Sequence, residues 1–114
     1  MALLLVVFAG SSLLLAVIAA PMIAGLVPPN PWYGFRTRAT LENPEIWYKV
    51  NRHSGQRLLA AGLLSFFAAL ALYPLCAPSE DLYALLFALI TLPLLTLGML
   101  DSLRYMRSLQ QGER

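Results

Sequence analysis

The residues that could do chemistry in this 114-residue chain are one histidine, one cysteine and six carboxylates. His53 is of the type that relays protons or ligates zinc, but a zinc site needs about four ligands, mostly His and Cys. The sequence holds no second histidine and no HExxH, Gly-x-Ser-x-Gly or phosphate-binding glycine motif. An enzyme would have to be built from scattered groups, namely Glu42, Glu45, His53, Asp101 and hydroxyls. We therefore predict no enzyme, no metal and no other cofactor.

Two arginines offer a different chemistry, the binding of anions. The guanidinium groups of Arg36 and Arg38 can bind a carboxylate, an anionic ligand or a lipid headgroup through paired hydrogen bonds. Asp101 opposes the dipole near the end of its predicted helix and should attract a cation. Arg104 is one candidate partner for Asp101, and Arg36 is the one that we favour. Glu42 is a second acceptor for either arginine of the loop, and for Arg38 a role as a simple topology charge is an equal alternative.

The elements that position these residues must be mostly apolar. Hydrophobic residues make up 59% of the chain and charged residues 12%, whereas a soluble domain carries about 25% charged residues. A net charge of +2 and a single cysteine argue against a nucleic-acid module, a disordered tail and a disulfide scaffold. The composition predicts a small integral membrane protein whose main partner is the lipid bilayer.

Three apolar runs predict an all-α membrane protein with three transmembrane helices in one domain, residues 1–114. The predicted spans are residues 2–27, 58–76 and 82–103, followed by a tail at 104–114. The first run is too long for a signal peptide and lacks a basic start, so we expect it to be retained. Only about five residues separate the second and third runs, which must form an antiparallel hairpin.

Prolines and polar residues mark where these helices begin, bend or end. Pro21 predicts a kink or an early end of the first helix. Ser79, followed by two acids, is typical of the residue that caps the start of a helix. Pro93 should bend the third helix, and the carbonyl that it frees should be covered by neighbours or by the hydroxyl of Thr91 or Thr96.

The basic residues predict the orientation in the membrane. Five of the eight Lys and Arg residues lie between the first two spans, and the other three follow the third span. The positive-inside rule then places the long loop and the carboxyl-terminal tail in the cytoplasm, and the amino terminus and the short loop outside. Cys76 falls at the outer edge without a partner, so we interpret it as a packing residue.

The segment between the first two spans begins with a loop. Its prolines and Gly34 predict that residues 28–41 are ordered but contain no regular helix. Trp32, Tyr33 and Phe35 lie beside the two arginines, a composition that suits the membrane interface, where rings lie at headgroup depth and arginine reaches phosphate.

A second, short helix is predicted to begin at Pro44, because Asn43 can cap it and Pro44 suits its first position. Its apolar and polar residues separate onto two sides, which predicts an amphipathic helix at the cytoplasmic interface. The apolar side holds Ile46, Trp47 and Val50. The polar side holds Glu45, Lys49, Arg52 and Gln56, with Glu45 and Lys49 at the spacing that favours an ion pair.

Four residues of this helix, Asn43, Trp47, Asn51 and Gly55, recur every four positions. They form a stripe that can face the bundle instead of the lipid. Gly55 either ends the short helix or lets it continue into the second span, and the sequence leaves both outcomes open.

The same segment resembles the signature of the SdpI family of small bacterial membrane proteins, which is named for an immunity protein against a secreted peptide toxin. The residues that carry the resemblance are Asn30, Trp32, Tyr33, Gly34, Phe35, Arg36, Thr37, Thr40, Asn43, Trp47, Asn51 and Gly55. Larger members have additional amino-terminal membrane segments, so the chain resembles the minimal three-span form. The resemblance implies a bacterial cytoplasmic-membrane protein with protective or signalling roles around antimicrobial peptides.

We therefore expect the loop and the amphipathic helix to form an interaction surface for a peptide toxin or a cytosolic regulator, and not for nucleic acid. The predicted interaction residues are Asn30, Tyr33, Arg36, Thr37, Asn43, Trp47, Asn51 and Asp101. Arg36 would be the charge anchor and Trp47 the apolar anchor.

Two alternatives remain open. In one, the protein binds a lipid or small molecule, or serves as a transporter or enzyme subunit, with the loop as a lid over a cavity and a ligand contacting Arg36 and Asn51. In the other, the motif only fastens the loop to the bundle. Active transport is disfavoured, because no charged residue lies at mid-membrane depth.

Small residues at four-residue spacing predict close helix packing. They are Ala16, Ala20 and Ala24 on the first span and Ala61, Ser65 and Ala69 on the second. These stripes suit either internal packing or a homodimer, and we favour internal packing.

Overall fold

The computed structural model describes residues 1–112 and is all-helical over that range. The helices are α1 (Ala2–Ala24), α2 (Arg38–Glu42), α3 (Pro44–Cys76) and α4 (Glu80–Gly112). Three of them, α1, α3 and α4, are long and apolar enough to cross a membrane. The predicted fold class, an all-α membrane protein with three spanning helices, is thereby confirmed.

The first helix ends earlier than the apolar run that forms it. Pro21 lies inside α1, and the helix continues for three more residues to Ala24. Gly25 then adopts the left-handed conformation, with a φ of 72°. The amide of Leu26 donates to the carbonyl of Pro21 at 3.0 Å, which completes a glycine-terminated helix end. The early end is therefore set by Gly25, where a residue without a Cβ is favoured.

The prediction that residues 28–41 contain no regular helix is wrong at its end, where α2 forms. Thr37 and Thr40 cap each other's backbone: the Thr40 amide donates to Thr37 Oγ1 at 3.2 Å, and the Thr37 amide donates to Thr40 Oγ1 at 2.7 Å. This reciprocal pair is a capping box with threonine in place of the usual Glu or Gln. It holds one helical turn over Arg38–Glu42.

Helix α3 is continuous over 33 residues and passes through Gly55. The helix that begins at Pro44 therefore does not end at Gly55 but continues into the second span. It starts as predicted, because Asn43 Oδ1 accepts hydrogen bonds from the amides of Glu45 and Ile46 at 3.0 and 3.3 Å. Gly55 is required for close packing, since a Cβ there would lie 3.0 Å from the Met22 Cβ. The glycine brings α1 close instead of ending the helix.

The last helix extends well beyond the apolar run. Ser79 caps its start, with its hydroxyl accepting from the Leu82 amide at 3.2 Å. The helix passes Pro93 and continues to Gly112, so the part of the tail that the structure describes is helical. There Met106 packs with Ile46 and Val50 in a buried apolar cluster, together with the neighbouring side chains Phe35, Ala39, Leu103, Tyr105 and Leu109.

Helix α3 lies in the centre and packs against α1 on one side and α4 on the other. A Cβ at Gly62 would lie 2.7 Å from the Ser12 carbonyl oxygen and 2.9 Å from the Ala16 amide nitrogen, so the backbones of α1 and α3 approach closely there. The stripe predicted on α3, Ala61, Ser65 and Ala69, is buried.

The stripe predicted on α1 is only partly correct. Ala16 is buried, whereas Ala20 and Ala24 are exposed. The buried small residues of α1 are Ser12, Ala16 and Ala19. The helix therefore contacts α3 through positions that alternate between four-residue and three-residue spacing, as a period of about 3.6 residues requires.

Polar and aromatic side chains join α4 to the other helices. The Thr91 hydroxyl donates to Ser65 Oγ at 2.9 Å, so it binds α3 and not the carbonyl freed by Pro93; Thr96 is exposed. Near the short turn, Phe8 of α1 stacks on Phe87 of α4 with 4.3 Å between ring centroids. The Tyr83 hydroxyl donates to the Ala69 carbonyl at 2.7 Å.

Candidate interaction site at the loop end of the bundle

We use "loop end" for the end of the bundle formed by residues 25–57 and 98–112. Its loop is shaped first by Asn30. The Asn30 side-chain oxygen accepts from the amides of Trp32 and Tyr33 at 2.9 and 2.7 Å. Its amide nitrogen donates to the carbonyls of Pro28 and Tyr33 at 2.7 and 3.1 Å. One asparagine thus closes a turn that the surrounding prolines leave without backbone hydrogen bonds.

The loop is joined to α3 by Asn51, which is 2% exposed. Its Oδ1 accepts from the Phe35 amide at 2.7 Å, and its Nδ2 donates to the Phe35 and Trp47 carbonyls at 3.3 and 2.9 Å. Gly34 has a φ of 108°, and a Cβ there would lie 2.5 Å from Asn51 Oδ1. A larger residue at position 34 would therefore collide with the Asn51 side chain that binds the loop.

Two aromatic residues join the loop and α1 to the bundle. Trp47 is fully buried, and its Nε1 donates to the Val27 carbonyl at 2.8 Å. The Tyr33 hydroxyl donates to the Ile18 carbonyl, at the start of the last two turns of α1. Burial raises the pKa of the Tyr33 hydroxyl, which keeps it protonated as a donor.

The predicted interaction residues fall into three groups by their exposure. Trp47 and Asn51 are buried, so Trp47, the predicted apolar anchor, packs inside the loop end in this structure and presents no surface to a partner. Asn30, Tyr33, Thr37 and Asn43 are half-buried in turns and caps, and Asp101 is half-buried on α4. Arg36 is exposed, and its Nη1 donates to the Pro31 carbonyl within the loop.

The two partners predicted for Asp101, Arg36 and Arg104, are not the ones that it has in the structure. Asp101 Oδ2 lies 2.6 Å from His53 Nε2 and accepts a hydrogen bond from Arg57 Nε at 2.6 Å. The His53 ring also stacks on Tyr105 with 4.5 Å between centroids. These contacts join α3 to α4, whereas Arg36 turns back onto its own loop.

The register of the α3–α4 hairpin could have identified His53 and Arg57 as the partners of Asp101, but the sequence analysis did not use it. The two residues are four apart on one face of α3. The hairpin turns between Cys76 and Glu80, so positions 53 and 57 lie level with roughly 99–103 on α4. Asp101 falls within that stretch.

The outward side of the loop forms a separate surface, which we call the exposed rim and define as Trp32, Arg36 and Arg38. The Trp32 side chain is 85% exposed. Arg38 pairs with Glu42 at 3.0 Å, which is one of the partners considered for it from the sequence. Both side chains are largely exposed. Lys49 pairs with Glu45 at 3.1 Å, also at the predicted spacing.

A cavity of about 280 Å³ lies beneath the loop. Its lining consists of Ile18, Met22, Tyr33, Gly34, Phe35, Ser54, Arg57, Leu58, Ala61, Leu94, Leu95, Gly98 and Met99. The alternative in which the loop covers a cavity therefore has a structural counterpart. Arg36 and Asn51, which that alternative assigned to the ligand, are not in the lining.

Among residues 1–112, no group of three or more His, Cys, Asp or Glu side chains is close enough together to hold a metal ion. Cys76 is a buried free thiol at the end of α3, in keeping with its interpretation as a packing residue.

The comparisons with known proteins agree with the resemblance noted in the motif. Neither the curated proteins nor the solved structures gave a match. Residues 26–100 match the family model described as the SdpI/YfhL protein family. The matched segment contains the whole loop, all of α3 and most of α4. Because the match covers more than half of the chain and includes the motif that builds the loop end, the chain belongs to the SdpI/YfhL family.

Proposed function

We propose that this SdpI-family protein is a multi-pass protein of the bacterial cytoplasmic membrane that protects the cell against a membrane-active antimicrobial peptide. The role is non-enzymatic and acts through the exposed rim. The observation that carries the proposal is the division of the motif into a fully bonded interior and an exposed aromatic and cationic exterior. The interior residues hold the loop in one shape, and the exterior residues remain available for a partner.

The exterior has the composition of a recognition surface. Trp32 offers a large apolar side chain that is almost entirely exposed, and aromatic residues are enriched at the centres of interfaces. Arg36 has no acidic partner among residues 1–112. Its neighbour Arg38 has only an exposed pair with Glu42, of the kind that contributes about 0.3–0.5 kcal/mol. Both guanidinium groups can therefore bind a carboxylate of a partner at little cost.

The orientation that we propose places the loop end in the cytoplasm. The exposed cations of that end include Arg104 and Arg107 of α4 as well as those of the loop. This concentration of positive charge at one end of the bundle supports the orientation through the positive-inside rule. A cysteine introduced at position 38 should react only with labelling reagents that enter the cell.

The test of the protective role is a sensitivity assay in a bacterial host that lacks the protein. Cells that express the wild type are expected to survive higher concentrations of a secreted peptide whose gene lies beside that of this protein. Trp32→Ala and Arg38→Ala should lose protection at unchanged membrane abundance. Lys49→Ala, an exposed cation outside the rim, is the matched control and should protect normally. Full protection by both rim variants would contradict the proposal.

A second candidate function is recruitment of an acidic cytosolic regulator through the same rim. It is favoured by the surplus of exposed cations at the loop end, because such a surface attracts an acidic partner. This function predicts that a soluble protein co-purifies with the wild type at low salt and is lost with Arg36→Ala. Protection without such a partner would favour the first function.

A further inference from the structure

The cavity beneath the loop lies between the three long helices of the bundle. Its walls come from α1, α3 and α4, and its roof is the backbone and side chains of residues 33–35. Helices α1 and α4 contact each other at few places, so the gap between them at this level is not filled by side chains. At about 280 Å³ the cavity is at the small end of the range for ligand pockets.

The walls are apolar and open toward the outside of the bundle. α1 contributes Ile18 and Met22, and α4 contributes Leu94, Leu95 and Met99. Met99 is 59% exposed, so the cavity reaches the surface beside it. In a membrane-spanning bundle that surface faces lipid chains, and an apolar opening there admits a chain more readily than it admits water.

The upper end of the cavity is polar because Ser54 and Arg57 of α3 line it. Arg57 uses its Nε to donate to Asp101 at 2.6 Å. Its two terminal nitrogens make no hydrogen bond with residues 1–112. Arg57 is also the last charged residue of α3 before the apolar run, which puts its guanidinium at the level of phosphate groups.

The roof is held independently of any occupant. Phe35 is bound through its amide and carbonyl to Asn51, and the Tyr33 hydroxyl is bound to the Ile18 carbonyl. Because these hydrogen bonds are made between residues of the protein, the roof does not need a ligand to stay in place. A preformed site loses less entropy on binding than one that must be ordered first.

We propose that this cavity binds one acyl chain of an anionic phospholipid, whose phosphate accepts hydrogen bonds from the terminal nitrogens of Arg57. The cavity runs along α3 from Ser54 to Ala61, about 10 Å at 1.5 Å per residue. It therefore holds the upper part of a chain, and the remainder of the lipid stays in the bilayer. The site is independent of the exposed rim and of the protective role.

The charges around Arg57 predict opposite effects of two substitutions on the binding of an anionic lipid. Asp101 faces Arg57 and His53 from α4, and its carboxylate repels a second anion. Asp101→Asn should therefore strengthen the binding of an anionic lipid. Arg57→Gln should remove the preference for anionic over zwitterionic lipid, because both headgroups carry a phosphate and only a positive charge at position 57 distinguishes the net anion from the phosphate that is paired with a choline cation.

The experiment is native mass spectrometry of the detergent-purified full chain, titrated with phosphatidylglycerol or phosphatidylcholine of identical chains. The wild type is expected to retain one phosphatidylglycerol at about tenfold lower concentration than phosphatidylcholine, because Arg57 attracts the net anion and repels the choline cation of the zwitterionic lipid. Leu94→Trp fills the cavity and should abolish retention of both lipids. Leu92→Trp places the same ring on an exposed position of the same helix and should retain lipid normally.

Three results would overturn the proposal. Equal retention of the two lipids by the wild type would show that the cavity does not select an anionic headgroup. Equal retention by Leu94→Trp and Leu92→Trp would place the lipid outside the cavity. A lipid-free dimer that Leu94→Trp dissociates would show that a second copy occupies the gap. Circular dichroism and melting of each variant establish that the bundle is folded before lipid retention is compared.

Discussion

The two ends of the gap between α1 and α4 are closed in different ways. Near the short turn, aromatic side chains fill it, with Phe8 stacked on Phe87 and tilted against Tyr83. At the loop end, Tyr33 and Phe35 line a cavity, and the loop covers it through hydrogen bonds to Asn51 and Ile18. Aromatic side chains pack across the first end, whereas polar attachment of the loop roofs a cavity at the second.

This difference indicates which kinds of contact stabilise each end of the bundle. In lipid, helix association depends on packing and on polar contacts, since lipid chains are as apolar as the side chains that they replace. At the loop end, where the chain meets water, burial of apolar surface contributes as it does in soluble proteins. The same kind of truncation should therefore cost more at the loop end than at the turn end.

The largest effect is expected from Trp47→Ala, which leaves a cavity at the loop end and removes the hydrogen bond to the Val27 carbonyl. We expect a loss of about 3–5 kcal/mol in the free energy of unfolding, as for a large buried aromatic residue. Trp32→Ala, at an exposed tryptophan of the same loop, is the control and should leave stability unchanged. The measurement is denaturant unfolding in micelles, and similar losses for both variants would contradict the assignment of Trp47 to the core.

A smaller effect is expected from Asn51→Ala. It leaves the Phe35 amide without its acceptor and removes two donated hydrogen bonds. The expected loss is about 2–3 kcal/mol, the cost of buried polar groups left unpaired. Hydrogen exchange at the Phe35 amide should accelerate while the amides in the centre of α3 stay protected. Unchanged exchange at Phe35 would show that the loop is held by other contacts.

At the turn end, Phe87→Ala tests the packing of aromatic side chains. We expect a loss of about 2 kcal/mol, less than in a water-soluble core, because lipid can replace part of the lost contact. Phe67→Ala removes the same side chain from an exposed position and should have little effect on unfolding in micelles. If Phe87→Ala lowers the free energy of unfolding as much as Trp47→Ala does, burial of side chains does not stabilise the loop end more than the turn end.

The smallest effect should come from Tyr83→Phe, which removes only the hydrogen bond to the Ala69 carbonyl. Hydrogen bonds between membrane helices contribute about 0.6 kcal/mol on average. The loss should appear as a small decrease in melting temperature in detergent. A decrease as large as that of Phe87→Ala would mean that polar contacts also dominate at the turn end.

Much of the fold could be predicted from the sequence, because the signals are local. Uninterrupted apolar runs define spanning helices, and Asn43 and Ser79 fix the starts of α3 and α4 through their own side chains. The α2 turn was missed because a Thr37–Thr40 box lacks the acid or amide that normally marks such a cap.

The contacts of the site were harder to predict because they join distant parts of the chain. The types of Arg36 and Asp101 suggest an ion pair, but partner choice depends on register, and register places His53 and Arg57 beside Asp101. The amphipathic pattern identified Trp47 as apolar without showing whether its ring faces lipid, a partner or the loop. Only the packed structure shows that Trp47 and Asn51 hold the loop from within.

The length of α4 has a consequence for how the protein is made. Its final turns carry Met106, which packs on Ile46 and Val50 and accepts a hydrogen bond from the Thr37 hydroxyl through its sulfur at 3.0 Å. These partners precede Met106 by 56 to 69 positions along the chain, so they leave the ribosome well before Met106 does. The loop can be fastened to α1 and α3 as soon as Asn51 and Trp47 have been made, whereas the contacts of Met106 must wait for the synthesis of α4. Assembly of the loop end is therefore completed in two stages, the second of which follows the synthesis of α4.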